Sequence, residues 1–372
     1  MDASTADNID DEALSGVLSI DLAALQSNYR MLADRVAPAT CAAVVKADAY
    51  GLGADRVGPA LASAGCRHFF VAHLVEAKRL KRHLPRDAKL YVLNGLMPGG
   101  ESYAAANGII PVINSLSQLS QWSAAAEQHG ARLPAVLQFD TGMSRLGLSA
   151  ADASVLAENR ALLRNLDVQF LMSHLASADE HLNSQNVQQL AAMQAIAVNF
   201  PDAELCFANS GGIFLGAAFH GALVRPGIAL YGGAPTDSLA NPMKPVVRLS
   251  VRVIQTHTVP PGTLVGYGGS HHTQSEMRLA TLAAGYADGL PRSLSDRGAA
   301  YALGQRLPIV GRVSMDSMTI DITSLPTDAL QLGSLVELIG ADQTLEDLAR
   351  DAGTIAYEIL TGLGHRYHRQ YI

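Results

Sequence analysis

The chain has 372 residues, 48% of them hydrophobic, and a formal net charge of −7. That content suits a globular protein with a sizeable core, and the length favours two domains. An acidic balance with no basic stripe excludes a nucleic-acid partner, and no apolar run approaches the length that spans a bilayer.

Residues 1–15 are polar and acidic, without the basic and apolar regions of a secretion signal, and read as a flexible tail. A helix is predicted over 21–36, with Leu22, Leu25, Tyr29 and Leu32 at helical spacing. Eight short apolar runs then alternate with helical patterns: 41–46, 68–72, 89–93, 109–113, 134–140, 166–173, 203–208 and 221–225. Their Val, Ile, Leu and Phe content fits strands buried on both faces. The amphipathic stretch 115–129 is typical of the segments between them, with Ser115 as its N-cap. An open, doubly wound sheet is the competing arrangement, but eight strand–helix repeats favour a (β/α)8 barrel. Around 242–245 the pattern changes to long alternating segments at 246–259, 278–284, 308–313, 318–322 and 334–339, and the next long helix falls at 344–352. The expected domains are a tail over 1–15, a barrel over 16–243 and a mostly-β domain over 244–372. There are no repeats or coiled-coil heptads. Cys41, Cys66 and Cys206 form no C-x-x-C pair and are odd in number, which points to a reducing, cytoplasmic setting.

In a barrel, chemistry collects at the C-terminal ends of the strands. Here those ends carry Lys46, His73, Asn94, Asn114, Asp140, His174, Asn209, Ser210 and Arg225. Taken singly, His73, Asn94 and Asn114 read as turn or capping groups. A ring of such residues around one mouth implies a site for a polar, anionic ligand. Lys46 ends the apolar run Ala42-Ala43-Val44-Val45. A lysine at a strand end is usually a solvated cap. Half-buried at a barrel mouth, it would lose hydration and become a nucleophile for a carbonyl.

The segment Val44-Val45-Lys46-Ala47-Asp48-Ala49-Tyr50-Gly51-Leu52-Gly53 resembles the pyridoxal-phosphate attachment signature of the alanine racemases. Further matching segments are Asp140-Thr141-Gly142-Met143-Ser144-Arg145-Leu146-Gly147, Ser173-His174, Asn209-Ser210 and Val224-Arg225-Pro226-Gly227-Ile228. In the β domain they are Gly266-Tyr267-Gly268, Gly285-Tyr286-Ala287-Asp288-Gly289, Gly311-Arg312-Val313-Ser314-Met315-Asp316 and Thr354-Ile355-Ala356-Tyr357-Glu358. The resemblance runs from about residue 17 to 371, and its strength lies in the joint occurrence of these segments in this order.

The resemblance implies interconversion of L- and D-alanine, with pyridoxal 5′-phosphate bound to Lys46 as a Schiff base, and supply of D-alanine for cell-wall peptidoglycan. It implies Lys46 and Tyr267 as the two acid–base groups, on opposite faces of the substrate Cα. Arg225 would face the pyridine nitrogen and Arg145 the phenolic oxygen. Tyr50, Ser210, Tyr357 and the N–H groups of Gly227 and Ile228 would hold the phosphate, with Asn209 beside them. His174 would bridge Tyr267 and Arg225. Arg145, Met315, Tyr286 and Asp316 would form the substrate end, with the Met315 N–H meeting the carboxylate and Tyr286 narrowing the entrance. A head-to-tail homodimer with shared sites is implied, as are a small amino-acid substrate and no metal, nucleic-acid or membrane partner.

These roles have physical grounds. Racemisation needs proton removal on one face and delivery on the other. Lysine and tyrosine, with ordinary pKa values of about 10.4 and 10, serve only if those fall toward neutrality. A guanidinium at the ring nitrogen stays charged and does not protonate it, which favours return of the proton to Cα. The sequence departs from the family pattern at Gln138, where many relatives have a lysine that can be carbamylated. A neutral amide or a bound anion such as chloride would replace it. Ser314 stands where some relatives have cysteine. The alternatives are a broad-specificity or serine racemase on the same scaffold, a barrel decarboxylase of related fold, and a non-catalytic pyridoxal-phosphate carrier. A carrier would need no second base, so Tyr267 argues against it.

Overall fold

The computed structural model describes residues 14–237 and 240–372, so residues 1–13 of the expected tail lie outside it. The chain forms two compact units: Ala24–Lys244, and Pro245–Ile372 together with the stretch that ends at Ala23.

In the first unit nine parallel segments pair in a row that returns to its start. Thr40–Cys41 and Ala43–Val44 are halves of one strand, the first paired with Leu223–Val224 and the second with His68–Val71. Between them the Ala42 N–H donates to the Val224 carbonyl at 2.9 Å. The intervening strands are Lys89–Val92, Ile109–Ile113, Leu133–Gln138, Leu166–Met172 and Glu204–Cys206. The result is a closed barrel of eight strands, each within two residues of its predicted bounds. Its cause is continuous apolar sequence: all five positions of Ile109–Ile113 are buried, as strands covered on both faces require. Phe70 stacks on Tyr91 inside it, with ring centroids 4.4 Å apart. The predicted helices appear as Leu22–Val36, burying Leu25, Tyr29, Leu32 and Val36, and as Leu116–His129. The latter is capped by Ser115 and stops at Gly130, whose φ of 72° suits glycine.

The second unit is built on an eight-stranded, mostly antiparallel sheet around Val247–Val259. Met277–Leu282 pairs with the distal half of that strand, and Met318–Asp321 pairs with Met277–Leu282. Gly16–Ile20 also belongs here, antiparallel to Val247–Val259 and parallel to His368–Tyr371. The barrel expected from residue 16 therefore begins later, because the strand at 16–20 finds its partners in Val247–Val259 and His368–Tyr371. The expected strand over 308–313 is displaced as well. Its place is taken by a hairpin of Ala299–Ala302 and Gln305–Pro308, turned at Leu303 (φ 53°) and Gly304 (φ 71°). The helix expected over 344–352 is Leu345–Ala352, capped by Thr344, and a second helix, Ala356–Gly362, follows. No helix among the described residues is long and apolar enough to cross a membrane. The three cysteines are buried and free.

Candidate active site

Three of the polar strand ends serve the barrel's own turns. His73 precedes the helix Leu74–Leu80 as its N-cap, and its Nε2 lies 3.5 Å from Asn94 Nδ2. Asn114 donates through Nδ2 to the carbonyls of Leu93 and Val112.

Lys46 is different. It is half-buried and opens a turn in which Ala47, Asp48, Ala49 and Tyr50 all have left-handed backbone, with φ between 52° and 57°. L-residues there cost roughly 1–2 kcal/mol each, so such a run persists only where its surroundings impose it. The Ala47 N–H donates to Glu76 Oε1 at 2.6 Å, and Asp48 Oδ1 accepts from the Ala54 N–H. Burial is the main cause that lowers the Lys46 pKa, Arg145 and Arg225 add to it, and Glu76 opposes it. The site therefore disfavours the ammonium form.

Tyr50, Ser210 and Gly227 come together beside this turn. Tyr50 and Ser210 are buried. A Cβ at Gly227 would lie 2.1 Å from the Tyr50 hydroxyl, so only glycine fits there. Ser210 Oγ accepts from the N–H groups of Gly227 (2.9 Å) and Ala229 (3.3 Å), and Ile228 opens the short turn Ile228–Tyr231 between them. The Tyr50 ring packs on Tyr231, whose hydroxyl donates to the Val44 carbonyl. Asn209 points away from this group: its Oδ1 accepts from the Gly212 N–H and its Nδ2 donates to the Leu175 carbonyl. Gly211 and Gly212 allow that turn to pack against Ala178 and Leu175.

Arg225 is 3% exposed. It donates to the carbonyls of Cys206 (2.7 Å) and Ser173 (2.8 Å) and to Cys206 Sγ (3.2 Å), and among the described residues it meets no carboxylate. Its Nη2 lies 3.4 Å from His174 Nδ1. Burial, followed by Arg225, Arg145 and Lys46, pushes the His174 pKa down to about 3. The imidazole is therefore neutral, and an arginine donor at Nδ1 leaves the proton on Nε2. Gln189, 1% exposed, donates to the His174 carbonyl and to Thr141 Oγ1 and accepts from the Ala176 N–H. It thus ties together the loops that follow the fifth and sixth barrel strands.

The first of those loops carries Arg145. Asp140 Oδ1 accepts from the N–H groups of Gly142, Met143 and Ser144. Burial raises the Asp140 pKa, but the three donors outweigh it and hold the carboxyl below its ordinary range. Gly147, at φ 122°, passes so close to Asp140 that a Cβ would meet its nitrogen at 2.6 Å. Gln138 donates to the carbonyl of Leu146, the residue after Arg145.

The remaining expected site residues lie in the second unit and are exposed: Tyr267 (70%), Met315, Tyr286 and Tyr357. Tyr267 sits on a tight turn of three left-handed glycines, Gly266, Gly268 and Gly269. Arg366 forks onto Asp288 with contacts of 2.6 and 2.8 Å and reaches Asp316 at 2.6 Å. The Asp288 side chain in turn accepts from the Gly285 N–H, and the Tyr286 and Ala287 N–H groups bond the carbonyls of Ser314 and Met315. The segments around Tyr286 and Met315 are therefore one locked piece. Sequence reasoning passed over Glu76, Gln189 and Arg366. Glu76 carried a signal, the third position after a helix N-cap, but that signal reads only as a cap.

A parallel barrel with a half-buried lysine and two arginines at its C-terminal mouth has the construction of a barrel enzyme. The alanine racemase N-terminal domain family matches residues 20–235 and the alanine racemase C-terminal domain family matches residues 246–371. The chain belongs to the alanine racemase family, which is a family of isomerases. It is 62% identical to a catabolic alanine racemase of Rhizobium johnstonii, over 97% of this chain and 96% of that one. It is 56% identical to an alanine racemase of Brucella canis, over 97% and 95%. The crystal structure of the Bartonella henselae alanine racemase, solved with covalently bound pyridoxal phosphate, superposes with a TM-score of 0.93 at 45% identity, covering 96% of this chain and 99% of that one.

Proposed function

We propose that this enzyme interconverts L-alanine and D-alanine with pyridoxal 5′-phosphate held on Lys46, and that Lys46 and Tyr267 move the Cα proton on opposite faces. The observation that carries this reading is the electrostatics of Lys46, where burial and two arginines favour the neutral amine that attacks a carbonyl. The residues around it fit a phosphorylated pyridine aldehyde. Tyr50, Ser210 and the backbone at Gly227 and Ile228 would hold the phosphate, joined by Tyr357, with Asn209 fixing the adjacent turn. Arg225, buried and without a carboxylate, would face the ring nitrogen and leave it unprotonated. Arg145 would meet the phenolic oxygen and the substrate. When bound, the cofactor supplies the electron sink that makes the Cα–H of an amino acid acidic.

Lys46 then removes and returns the Cα proton on one face and Tyr267 on the other. Neutral His174, accepting from Arg225 at Nδ1, has its Nε2–H to donate toward the Tyr267 phenolic oxygen. The Met315 N–H would bind the substrate carboxylate, Asp316 would hold that segment through Arg366, and Tyr286 would narrow the entrance. The exposure of Tyr267 and Met315 supports a head-to-tail homodimer in which a second copy brings them to the barrel mouth. Gln138 cannot be carbamylated, so Arg145 works without that modification. The product serves peptidoglycan. The name of the Rhizobium relative favours a second use, alanine breakdown. Deleting the gene and scoring D-alanine auxotrophy against growth on alanine separates the two uses.

The chemistry is tested by incubating the purified protein with L-alanine, resolving the product by chiral chromatography, and mapping the lysine labelled after borohydride reduction. D-alanine should form and the label should fall on Lys46. No D-alanine, or a label on another lysine, overturns the reading.

A further inference from the structure

Lys46 leaves its strand into a backbone conformation that four successive non-glycine residues would not choose for themselves, so something must impose it. Among the described residues, the side chain that accepts the first N–H of that turn is Glu76. Its Oε1 accepts the Ala47 N–H at 2.6 Å, while its Oε2 accepts the N–H groups of Ala72 (2.7 Å) and His73 (2.9 Å). The carboxylate thus clamps the C-terminal ends of the first and second barrel strands together, directly behind the lysine. A helix cap needs only the His73 contact. The contact to Ala47 spans 29 residues of chain and does nothing for the helix Leu74–Leu80.

We propose that Glu76 is the positioning residue for Lys46: by holding the N–H groups of Ala47, Ala72 and His73 together it locks the left-handed turn that aims the lysine stem into the barrel mouth. The inference rests on the reading of Lys46 as the cofactor lysine. Four charged or titratable groups act around this amine: Arg145 from the loop after the fifth strand, His174 after the sixth, Arg225 at the end of the eighth, and Glu76. Glu76 alone is negative. Removing its charge leaves burial and the cations unopposed, so the proton affinity of Lys46 falls further.

Glu76→Gln tests this, because the amide oxygen can still accept from one backbone N–H while the charge is gone. Asp152→Asn is the control. Asp152 occupies the same third position in the capping box of the helix Ala150–Glu158 and touches nothing near Lys46. Borohydride mapping in the wild-type holoenzyme first fixes the site. A label away from Lys46 overturns the parent reading, and this inference with it. With the label on Lys46, visible circular dichroism of the bound cofactor, kcat, and the pH profile of kcat, which reports the substrate complex in which Lys46 is released as an amine, are compared. In Glu76→Gln the dichroism per bound cofactor should fall at least about twofold as the chromophore loses its fixed orientation, with kcat down about tenfold or more. The acid limb that requires neutral Lys46 should move down by about one pH unit. Asp152→Asn should lose comparable thermal stability with dichroism and pH profile unchanged. Glu76→Gln with wild-type dichroism and an unmoved acid limb, or both variants shifting alike, overturns the proposal while leaving Lys46 as the cofactor lysine.

Discussion

Lys46 and Tyr267 are chemically unlike, and that difference can be read out separately. On the proposed assignment Lys46 handles the proton of D-alanine and Tyr267 that of L-alanine. Tyr267→Ala should keep its colour and lose racemisation by roughly 10²–10⁴-fold, the usual contribution of one placed acid–base group. Loss of the Cα–H signal in D₂O, followed by NMR, should persist from D-alanine and collapse from L-alanine. Equal residual exchange from both enantiomers would count against opposite faces. Two histidines bear on stability. Burial, with Lys89 adding to it, lowers the His68 pKa to about 4, and His174 sits at about 3. A histidine depressed on folding binds its proton in the unfolded chain first, so the folded state loses ground as pH drops from about 6.5 toward these values. The urea midpoint should therefore fall between pH 7 and pH 5. His68→Phe, which keeps a ring stacked on Tyr91, should flatten that slope. An unchanged slope would remove His68 from the account.

The turn after Lys46 gives a sharper test of backbone conformation. At Ala47, φ 52°, a β-branched side chain is close to forbidden. Ala47→Val should cost about 1–3 kcal/mol in chemical denaturation and weaken cofactor retention. Ala47→Gly should be near neutral, because relief of about 1 kcal/mol is offset by glycine's larger unfolded entropy. A Val variant as stable as wild type would mean the turn is not left-handed. The left-handed backbone of this turn is not visible in the sequence, where Lys46 closes an apolar run and 44–53 is marked only by its resemblance to the attachment signature. The barrel strands are legible because a strand covered on both faces must be apolar at successive positions, as Ile109–Ile113 is. Gly16–Ile20 is hidden because its pairing depends on Val247–Val259, more than two hundred residues away. The hairpin at 299–308 is hidden because the apolar pair Ile309-Val310 that drew the strand prediction makes only a single bridge, Ile309 to Ile320, before the chain turns at Gly311 with φ 78°. Lys46, Ser210, His174 and Arg225 stand out as polar residues closing apolar runs. Glu76 and Gln189 do not, since their meaning lies in contacts between neighbouring strand ends that only the closed barrel creates.

The two units carry different halves of the proposed chemistry, and assembly is how those halves would be joined. Lys46→Ala and Tyr267→Phe subunits, each inactive alone, should regain activity on mixing, because a two-fold dimer that shares its sites holds one intact site per hybrid. Random exchange should give up to about a quarter of wild-type activity, since half the dimers are hybrids with one of two sites intact. Confirmed exchange without rescue would place both bases in one chain.

The strand Gly16–Ile20 lies between Val247–Val259 and His368–Tyr371. During synthesis it leaves the ribosome before the barrel residues do, yet its first hydrogen-bonding neighbour, Val247–Val259, is made only after the last barrel strand, and its second, His368–Tyr371, only at the end. While the barrel residues are being made it is therefore an apolar strand without its partners, tethered to a barrel that is still being assembled. Until Val247–Val259 follows, its row of N–H and C=O groups is an open edge, and an open edge is where pairing with the wrong strand would begin.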